Sequence, residues 1–546
     1  MKYTLFSQNP AAQLLNITLE LECRENEAVS MQLPAWRPGR YEMANYAQFI
    51  KKLAVFFDSE KIQVQKVTKD NWIFQAKSAG IYSVQYSYYA RQMDAGGSWL
   101  DPSQMYINFI NLTFAIKGRE EEEVTVRLQV PEDYKVATAL PHIGHRTFLA
   151  RDFQHLVDTP LIASRDIVHE TYLTHGVTFH VWLQGEIHFD LHVLLDHFLA
   201  FTQRQIEAFG EFPADEYHFL IHLLPYKHYH GVEHRHSTVI TIGPAAQLSE
   251  KDLYDELIGV CSHELYHFWN VCRIRPQVLL PYDFSKEAYM DAGLIAEGIT
   301  TYMGDLFLLK SGYFSLSDYL KELSKMVNRE FETSGWQNQS IAASSLDLWL
   351  DGYKAGVPDK KVSIYNRGAL IALCMDLILI DKGSTLQEVM NAMWRDFGKP
   401  EKGYEMTDFE RKVFESAKGD PYIPEFFRKF VYGCEDILPV LTSQLKSVGI
   451  FIESSPRENP FEGLFGIVHD LKGEIKKIHP ESEAYQKLML GDKIVSYSLT
   501  EQHLQTEIIR LEKPMSIQLK RTPVIYYKNF QLNDLGSNPK QKVWVS

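Results

Sequence analysis

The segment His263-Glu264-Leu265-Tyr266-His267 sets two imidazoles four residues apart with a carboxylate between them. Apolar Leu253, Leu257, Ile258, Cys261, Leu265 and Phe268 recur at three- and four-residue steps, and Ser249 to Asp252 has the form of a capping box, so the spacing predicts a helix running through His267. Positions four apart share a helix face at about 100° per residue, which lets both imidazoles grip one metal ion. Glu264 falls between that face and the core side, where it can polarise a metal-held water without binding the metal. The chain has 20 histidines, so the pentapeptide alone is a modest signal. Its helical setting and an acidic residue downstream give it weight.

A zinc site for hydrolysis needs three protein ligands and an open position for water. Asn270 and Arg273 stand where the metzincin extension requires Gly and His, so that class is excluded. The next helical pattern, expected from Ala288 to Lys310, carries Glu297 with apolar neighbours on both sides. A carboxylate in such a stretch is costly to bury unless paired or metal-bound, which makes Glu297 the expected third ligand. Asp291 and Asp305 are weaker candidates. The expected cofactor is one zinc ion (Zn2+) per chain on His263, His267 and Glu297, with Glu264 as general base.

These residues need elements to hold them. Period-2 runs (Leu15, Ile17, Leu19, Leu21; Tyr82, Val84, Tyr86, Tyr88; Val124, Val126, Leu128, Val130) predict an antiparallel β domain over residues 1–165. The acidic run Glu120 to Glu123 reads as a solvated turn before a strand. Another alternating strand at Val177 to Leu183, a helix from about Phe189 to Phe209, and strands at Tyr217 to Leu224 and Thr238 to Ile242 lead to the metal helix. His218, His222, His228, His230, His234 and His236 crowd this stretch, the first two along a strand and the rest in a loop. A direct zinc role is not expected of them, because three ligands already exist. From Ser315 to about Phe430 the spacing is helical, with Tyr365 opening one helix. After Pro439 the pattern changes to short strands, and from about Val524 a polar tail with isolated aromatics is expected to pack loosely or extend.

At 546 residues the chain is too long for one core, and with 45% hydrophobic and 23% charged residues it reads as an ordinary globular protein. A net charge of −14 argues against nucleic-acid and anionic-membrane partners. Met1 to Pro10 offers no apolar signal segment, and the longest apolar run, Gly368 to Ile380, contains Asp376 and is too short to span a bilayer. Five widely spaced cysteines suit a reducing compartment, so a cytoplasmic location is expected.

Residues 263 to 276, His-Glu-Leu-Tyr-His-Phe-Trp-Asn-Val-Cys-Arg-Ile-Arg-Pro, followed by Ala-Glu-Gly-Ile-Thr-Thr-Tyr from Ala296, resemble the glycyl aminopeptidase family of gluzincin metallopeptidases carrying a C-terminal PDZ domain. Leu33 to Tyr41 is similar to that family's Trp-x-Pro-Gly-x-Tyr signature. Gly231-Val232-Glu233-His234 resembles its Gly-Gly-x-Glu-His element, with His230 in place of the first Gly, and Tyr365 to Ala369 resembles its Tyr-x-Lys/Arg-Gly element. Cys272 departs from the lysine expected there.

The resemblance implies a multidomain α+β protein. It would comprise the N-terminal antiparallel β domain, a thermolysin-like catalytic domain with a helical lobe (166–438), a PDZ domain (439–523) and the tail (524–546). It implies that Glu233, with Gly231 and His234, binds the free N-terminus of a peptide substrate, and that Tyr365 donates to the oxyanion. Preference for an N-terminal Gly or Ala is likewise implied. Phe465-Gly466-Ile467 resembles the carboxylate-binding loop of PDZ domains, and Glu483 to Ile494 their helix and Gly-Asp turn, which implies a groove for a peptide C-terminus. Arg273 and Arg275 are expected to brace the site by pairing with carboxylates. A zinc endopeptidase and a catalytically silent PDZ scaffold remain open as alternatives.

Overall fold

The computed structural model describes all 546 residues. The alternating segments of the N-terminal region form the expected strands. Leu14–Cys23 sits inside an eight-stranded sheet between Lys2–Phe6 and Gly80–Tyr89, and Val124–Gln129 runs parallel to Lys2–Phe6. Leu15, Ile17, Leu19 and Leu21 face inward onto a second sheet built from Glu27–Gln32 and Asn71–Ala76. The last strand of these N-terminal sheets is Leu161–Ser164.

One loop leaves this domain. Trp36 and Tyr41 are buried in the catalytic core, not in the β domain. Ala35 N donates to Phe284 O at 2.8 Å, Trp36 Nε1 to Asp283 O at 2.9 Å, and Tyr41 N to the Tyr353 hydroxyl at 3.3 Å. The segment that carries the Trp-x-Pro-Gly-x-Tyr signature is therefore a wall of the neighbouring domain.

The catalytic domain opens on a five-stranded mixed sheet. In chain order its elements are β1 (Val168–Thr174), β2 (Val177–Gly185), helix α1 (Leu191–Phe209), β3 (Glu216–Leu223), β4 (His228–Glu233) and β5 (Ser237–Gly243). Their spatial order is β1-β2-β3-β5-β4, so β4 is an edge strand, antiparallel to β5. The sequence places His228 and His230 in a loop, whereas both lie on β4. That strand is only six residues long, and its Gly231 and alternating histidines lack the β-branched run that marks a strand.

Helix α2 (Lys251–Tyr266) follows, with Leu257, Ile258, Cys261 and Leu265 fully buried. The expected capping box is not formed. Glu250 is the N-cap, and no side chain caps the first turn. His267 ends the helix, keeping αR geometry and donating its amide to His263 O at 3.3 Å. Across from it, Leu294–Ile299 is a π-helical turn that runs into α3 (Thr300–Lys310), so the helix expected from Ala288 starts six residues later and opens wide. Two glycine contacts bring these elements close. A Cβ on Gly304 would lie 3.0 Å from His263 Cα, and one on Gly298 would lie 2.5 Å from Gly368 Cα, on α4 (Asn366–Asp381).

The C-terminal tail departs most from expectation. Lys528–Asp534 pairs antiparallel with Ile450–Pro456, and Pro539–Val545 is a helix. Ile450, Phe530, Leu532 and Trp544 belong to the same core as the metal helix. The tail is thus part of the catalytic domain, and residues 457–527 form a small unit looped out between two of its strands, with a core of ten buried residues. Trp544 is 1% exposed and donates to the Tyr302 hydroxyl at 2.9 Å, which in turn donates to Asp376 at 2.5 Å. Trp544→Ala should cost about 3–5 kcal/mol, measured as an earlier thermal transition with loss of activity, because the cavity opens inside the catalytic core. An unchanged transition would show that the tail is peripheral.

In the looped-out unit, Phe465 ends the short helix Pro460–Phe465. Gly466 is its left-handed C-cap (φ +69°), and the Gly466 amide donates to Glu462 O at 3.2 Å. The Gly466 amide of the Phe465-Gly466-Ile467 segment is therefore used to cap that helix. No helix of the molecule is long and apolar enough to cross a membrane.

Candidate active site

His263 and His267 converge as their spacing predicts, with their Nε2 atoms 3.0 Å apart. Glu297 Oε2 comes in from the π-helical turn, 3.7 Å from His263 Nε2 and 3.4 Å from His267 Nε2. These three residues are buried or nearly so and fit a metal ion by their donor chemistry. His267 Nδ1 lies 2.6 Å from the Asn270 carbonyl, which can only accept, so the ring proton is on Nδ1 and the Nε2 lone pair is free for a metal. Burial pushes the Glu297 carboxyl up, but the His263 and His267 rings beside it outweigh burial and hold the carboxyl below its usual range.

Asn270 also braces the segment that carries Glu297. Its Nδ2 donates to Ile295 O at 2.7 Å in the π-helical turn and to Thr300 Oγ1 at 3.0 Å at the start of α3, on either side of Glu297 in sequence. Glu297→Ala should lose the metal outright, whereas Asn270→Ala should weaken it about 10- to 100-fold, because only the support is removed. Chelator competition would read both. Full metal retention in Glu297→Ala would mean the third ligand is another residue.

Glu264 is 5% exposed, with its Oε2 free of any protein partner. Burial, and then the charges of Glu233 and Glu297, push its carboxyl well up. Glu264 Oε1 lies where a Cβ on residue 231 would sit, at 2.2 Å, so Gly231 is the residue that lets the edge strand pass this close. Glu233 ends that strand. One carboxylate oxygen each of Glu233 and Glu264 and a ring nitrogen of His267 all lie within 4.8 Å of one another. Glu233 is buried, Oε1 has no partner, and the inserted N-terminal loop covers it so tightly that a Cβ on Gly39 would lie 2.4 Å from Oε2.

The other expected residues divide. Tyr365 precedes α4, and its hydroxyl is pushed well up by burial and then by the charges of Glu297, Tyr353 and Glu233. Tyr41 is pushed the same way, by burial and then Glu297. Composition and spacing assigned no role to Tyr41, Tyr353 or Arg37; the Trp-x-Pro-Gly-x-Tyr signature pointed toward Arg37 and Tyr41, and no signal pointed to Tyr353. His234 turns from the metal and sets Nδ1 3.1 Å from Asp158 Oδ1. Asp291 and Asp305 take no part in the metal cluster, and burial lifts the Asp305 carboxyl to about 7.

Arg273 and Arg275 do not pair with carboxylates as expected. Arg273 donates to the Phe268 and Arg235 carbonyls and lies over the Phe268 ring at 3.6 Å, and Arg275 donates to the Cys272 carbonyl over the Tyr282 ring at 4.3 Å. Aromatic faces take the place of the missing anions. Burial pushes the Cys272 thiol well up, which leaves it inert.

The histidine-rich stretch also gathers His180, Glu216 and His218. Trp182 Nε1 donates to His218 Nδ1 at 3.1 Å, which puts the ring proton on Nε2, where a ligand would need a lone pair. This cluster is a hydrogen-bonded one, in contrast to His267.

Fold and site define the class, a metallopeptidase. Two family models match, the peptidase M61 N-terminal domain over residues 2–165 and the M61 glycyl aminopeptidase over 256–371, together just over half of the chain. An aminopeptidase N family protein from Idiomarina loihiensis shares the fold end to end, with TM-score 0.90, 25% identity and 100% of each chain covered. A variant of the M1 zinc metallopeptidase from Deinococcus radiodurans bound to a Tyr-Ser-Ala substrate is similar at TM-score 0.51 and 16% identity, over 80% of this chain and 94% of that one. At that identity it speaks for the fold alone. No match is found among curated proteins. The chain belongs to the M61 glycyl aminopeptidase family and is a metallo-aminopeptidase.

Proposed function

We propose that this chain is a zinc aminopeptidase that removes the first residue of a peptide, with His263, His267 and Glu297 holding the ion. The observation that carries the reading is Glu233, a buried carboxylate with an unpartnered oxygen at the end of an edge strand, grouped with Glu264 and His267 within 4.8 Å. When bound, zinc supplies Lewis acidity for the scissile carbonyl and for a water.

The protein's own groups do the rest. An extended peptide lies along β4, whose outer edge is free to pair. Glu233 pairs with its α-ammonium and fixes the register. Glu264 takes the proton of the attacking water and delivers it to the leaving amine. Tyr365 donates to the developing oxyanion. Gly231 leaves room for Glu264 beside the peptide. Small first residues such as Gly or Ala fit this register and are the substrates to begin with. The odd number of scattered cysteines supports a cytoplasmic location.

The experiment is zinc content measured beside hydrolysis of matched peptides with free and acetylated N-termini. Zinc near one per chain and strong dependence on the free amine support the proposal. Efficient cleavage of acetylated peptides would make the chain an endopeptidase, and bound zinc without turnover would leave a silent scaffold.

A further inference from the structure

The loop that leaves the N-terminal domain brings one more side chain to the site, Tyr41. Two contacts pin the tip of that loop. A Cβ on Gly39 would lie 2.4 Å from Glu233 Oε2, and the Tyr41 amide donates to the Tyr353 hydroxyl at 3.3 Å. Between them, the Arg40 guanidinium lies over the Tyr353 ring at 5.2 Å. Tyr41 therefore stands between the carboxylate that ends β4 and Tyr353. Its ring cannot swing away, because it packs 6.0 Å from Trp349 at 72° and 6.4 Å from Trp36 at 35°, and the residue is 2% exposed. A ring held in such a frame carries its hydroxyl to one place.

That hydroxyl has no use inside the protein. Only the backbone of Tyr41 is hydrogen-bonded, whereas a buried phenol usually finds a partner and is costly without one. After burial, Glu297 acts on the hydroxyl most strongly, and Glu233 is also among the groups it feels. Tyr365 answers to the same two carboxylates, and to Tyr41 itself. Tyr217, Tyr319 and Tyr404 also lack partners, but the strongest charge on each comes from Cys272, Asp305 or Asp291, not from Glu297. Glu297 marks the metal end and Glu233 the amine end of a bound first residue. A hydroxyl facing both lies over the carbonyl that joins that residue to the next.

We infer that the Tyr41 hydroxyl donates a second hydrogen bond to the developing oxyanion, beside Tyr365, so that a residue of the N-terminal domain takes part in the chemistry. The inference rests on the aminopeptidase reading of the site. Water adds to the carbonyl carbon, the π pair moves onto the carbonyl oxygen, and both phenols donate to that oxygen while keeping their protons. When the pair returns, the C–N bond breaks and the amine leaves with the proton that Glu264 took from the water. Donors fixed in advance at developing charge act most strongly where water is excluded, and Tyr41 is fixed by its aromatic frame before substrate arrives.

The test is Tyr41→Phe in the full-length zinc-loaded enzyme on Gly-4-nitroanilide, with zinc content and the thermal transition measured alongside. The lost hydroxyl has no protein partner, so the variant should melt with the wild type and keep its zinc. Its kcat should fall about 10²- to 10³-fold with KM little changed. A phosphinic analogue of Gly-Gly, whose tetrahedral phosphinate copies the oxyanion, should bind at least ten-fold more weakly by calorimetry. A loss in kcat below ten-fold, a rise in KM alone, or a loss of zinc overturns the inference, the last two by placing the hydroxyl on the amine site or on Glu297. The two readings fail separately. A wild type that cleaves acetyl-Gly-4-nitroanilide as well as the free amine would sink the aminopeptidase reading. Dependence on the free amine, with Tyr365→Phe impaired and Tyr41→Phe fully active, would sink Tyr41 alone.

Discussion

Glu264→Gln should keep its metal and lose about 10²- to 10⁴-fold in kcat, the range that a positioned acid–base group contributes. The substitution preserves shape and leaves His263, His267 and Glu297 untouched, so metal content should stay at the wild-type level while turnover collapses. Two features support the proposed role of Glu264 as base. Its Oε2 has no protein partner although the side chain is 5% exposed, so it is kept for something that is not protein. Burial and the neighbouring carboxylates also lift it above the ordinary carboxylate range, toward the basicity that proton transfer near neutral pH requires. Near-normal turnover in the metal-loaded variant would move the role to another group, and Glu233 is the only other carboxylate grouped with His267 and Glu264.

The parts of the site that were legible in the sequence are those fixed by local geometry. A helical repeat puts positions 263 and 267 on one face whatever surrounds them, and an acid among Leu294, Ile295, Ala296 and Ile299 needs a partner. The β domain was legible for the same reason, since a half-buried strand must alternate. What could not be read depends on contacts far apart in sequence. The π-helical turn at 294–299 is joined to the metal helix by the side chain of Asn270, a residue with no helical signature of its own. Arg37, Gly39 and Tyr41 reach the site only because Trp36 leaves its own domain for the catalytic core. The strand at 528–534 buries just Phe530 and Leu532, too short a pattern to distinguish from a tail, although it completes the core. At Gly466 the sequence motif was present, but the helix before it had already taken the amide.

Glu233→Ala should lose about 30- to several-thousand-fold in kcat/KM on free-amine substrates and little on acetylated ones, which are poor substrates from the start. The range follows from the roughly 2–5 kcal/mol lost when one partner of a desolvated, hydrogen-bonded charge pair is removed. Burial raises the Glu233 carboxyl, a cost to the anion that an incoming ammonium would offset. An acetylated or internal amide brings no positive charge and leaves that carboxylate unpaired in a buried place, which is how one residue can set exopeptidase specificity. The rival explanation is that Glu233 only stiffens the end of β4. Its Oε1 makes no hydrogen bond to any loop group, and what the loop presses against its Oε2 is Gly39, which has no side chain to pair with it. Glu233→Gln separates the two. A structural role survives this near-isosteric change, whereas amine recognition does not, so equal losses on free and acetylated peptides, or wild-type kinetics in Glu233→Gln, would remove Glu233 from substrate binding.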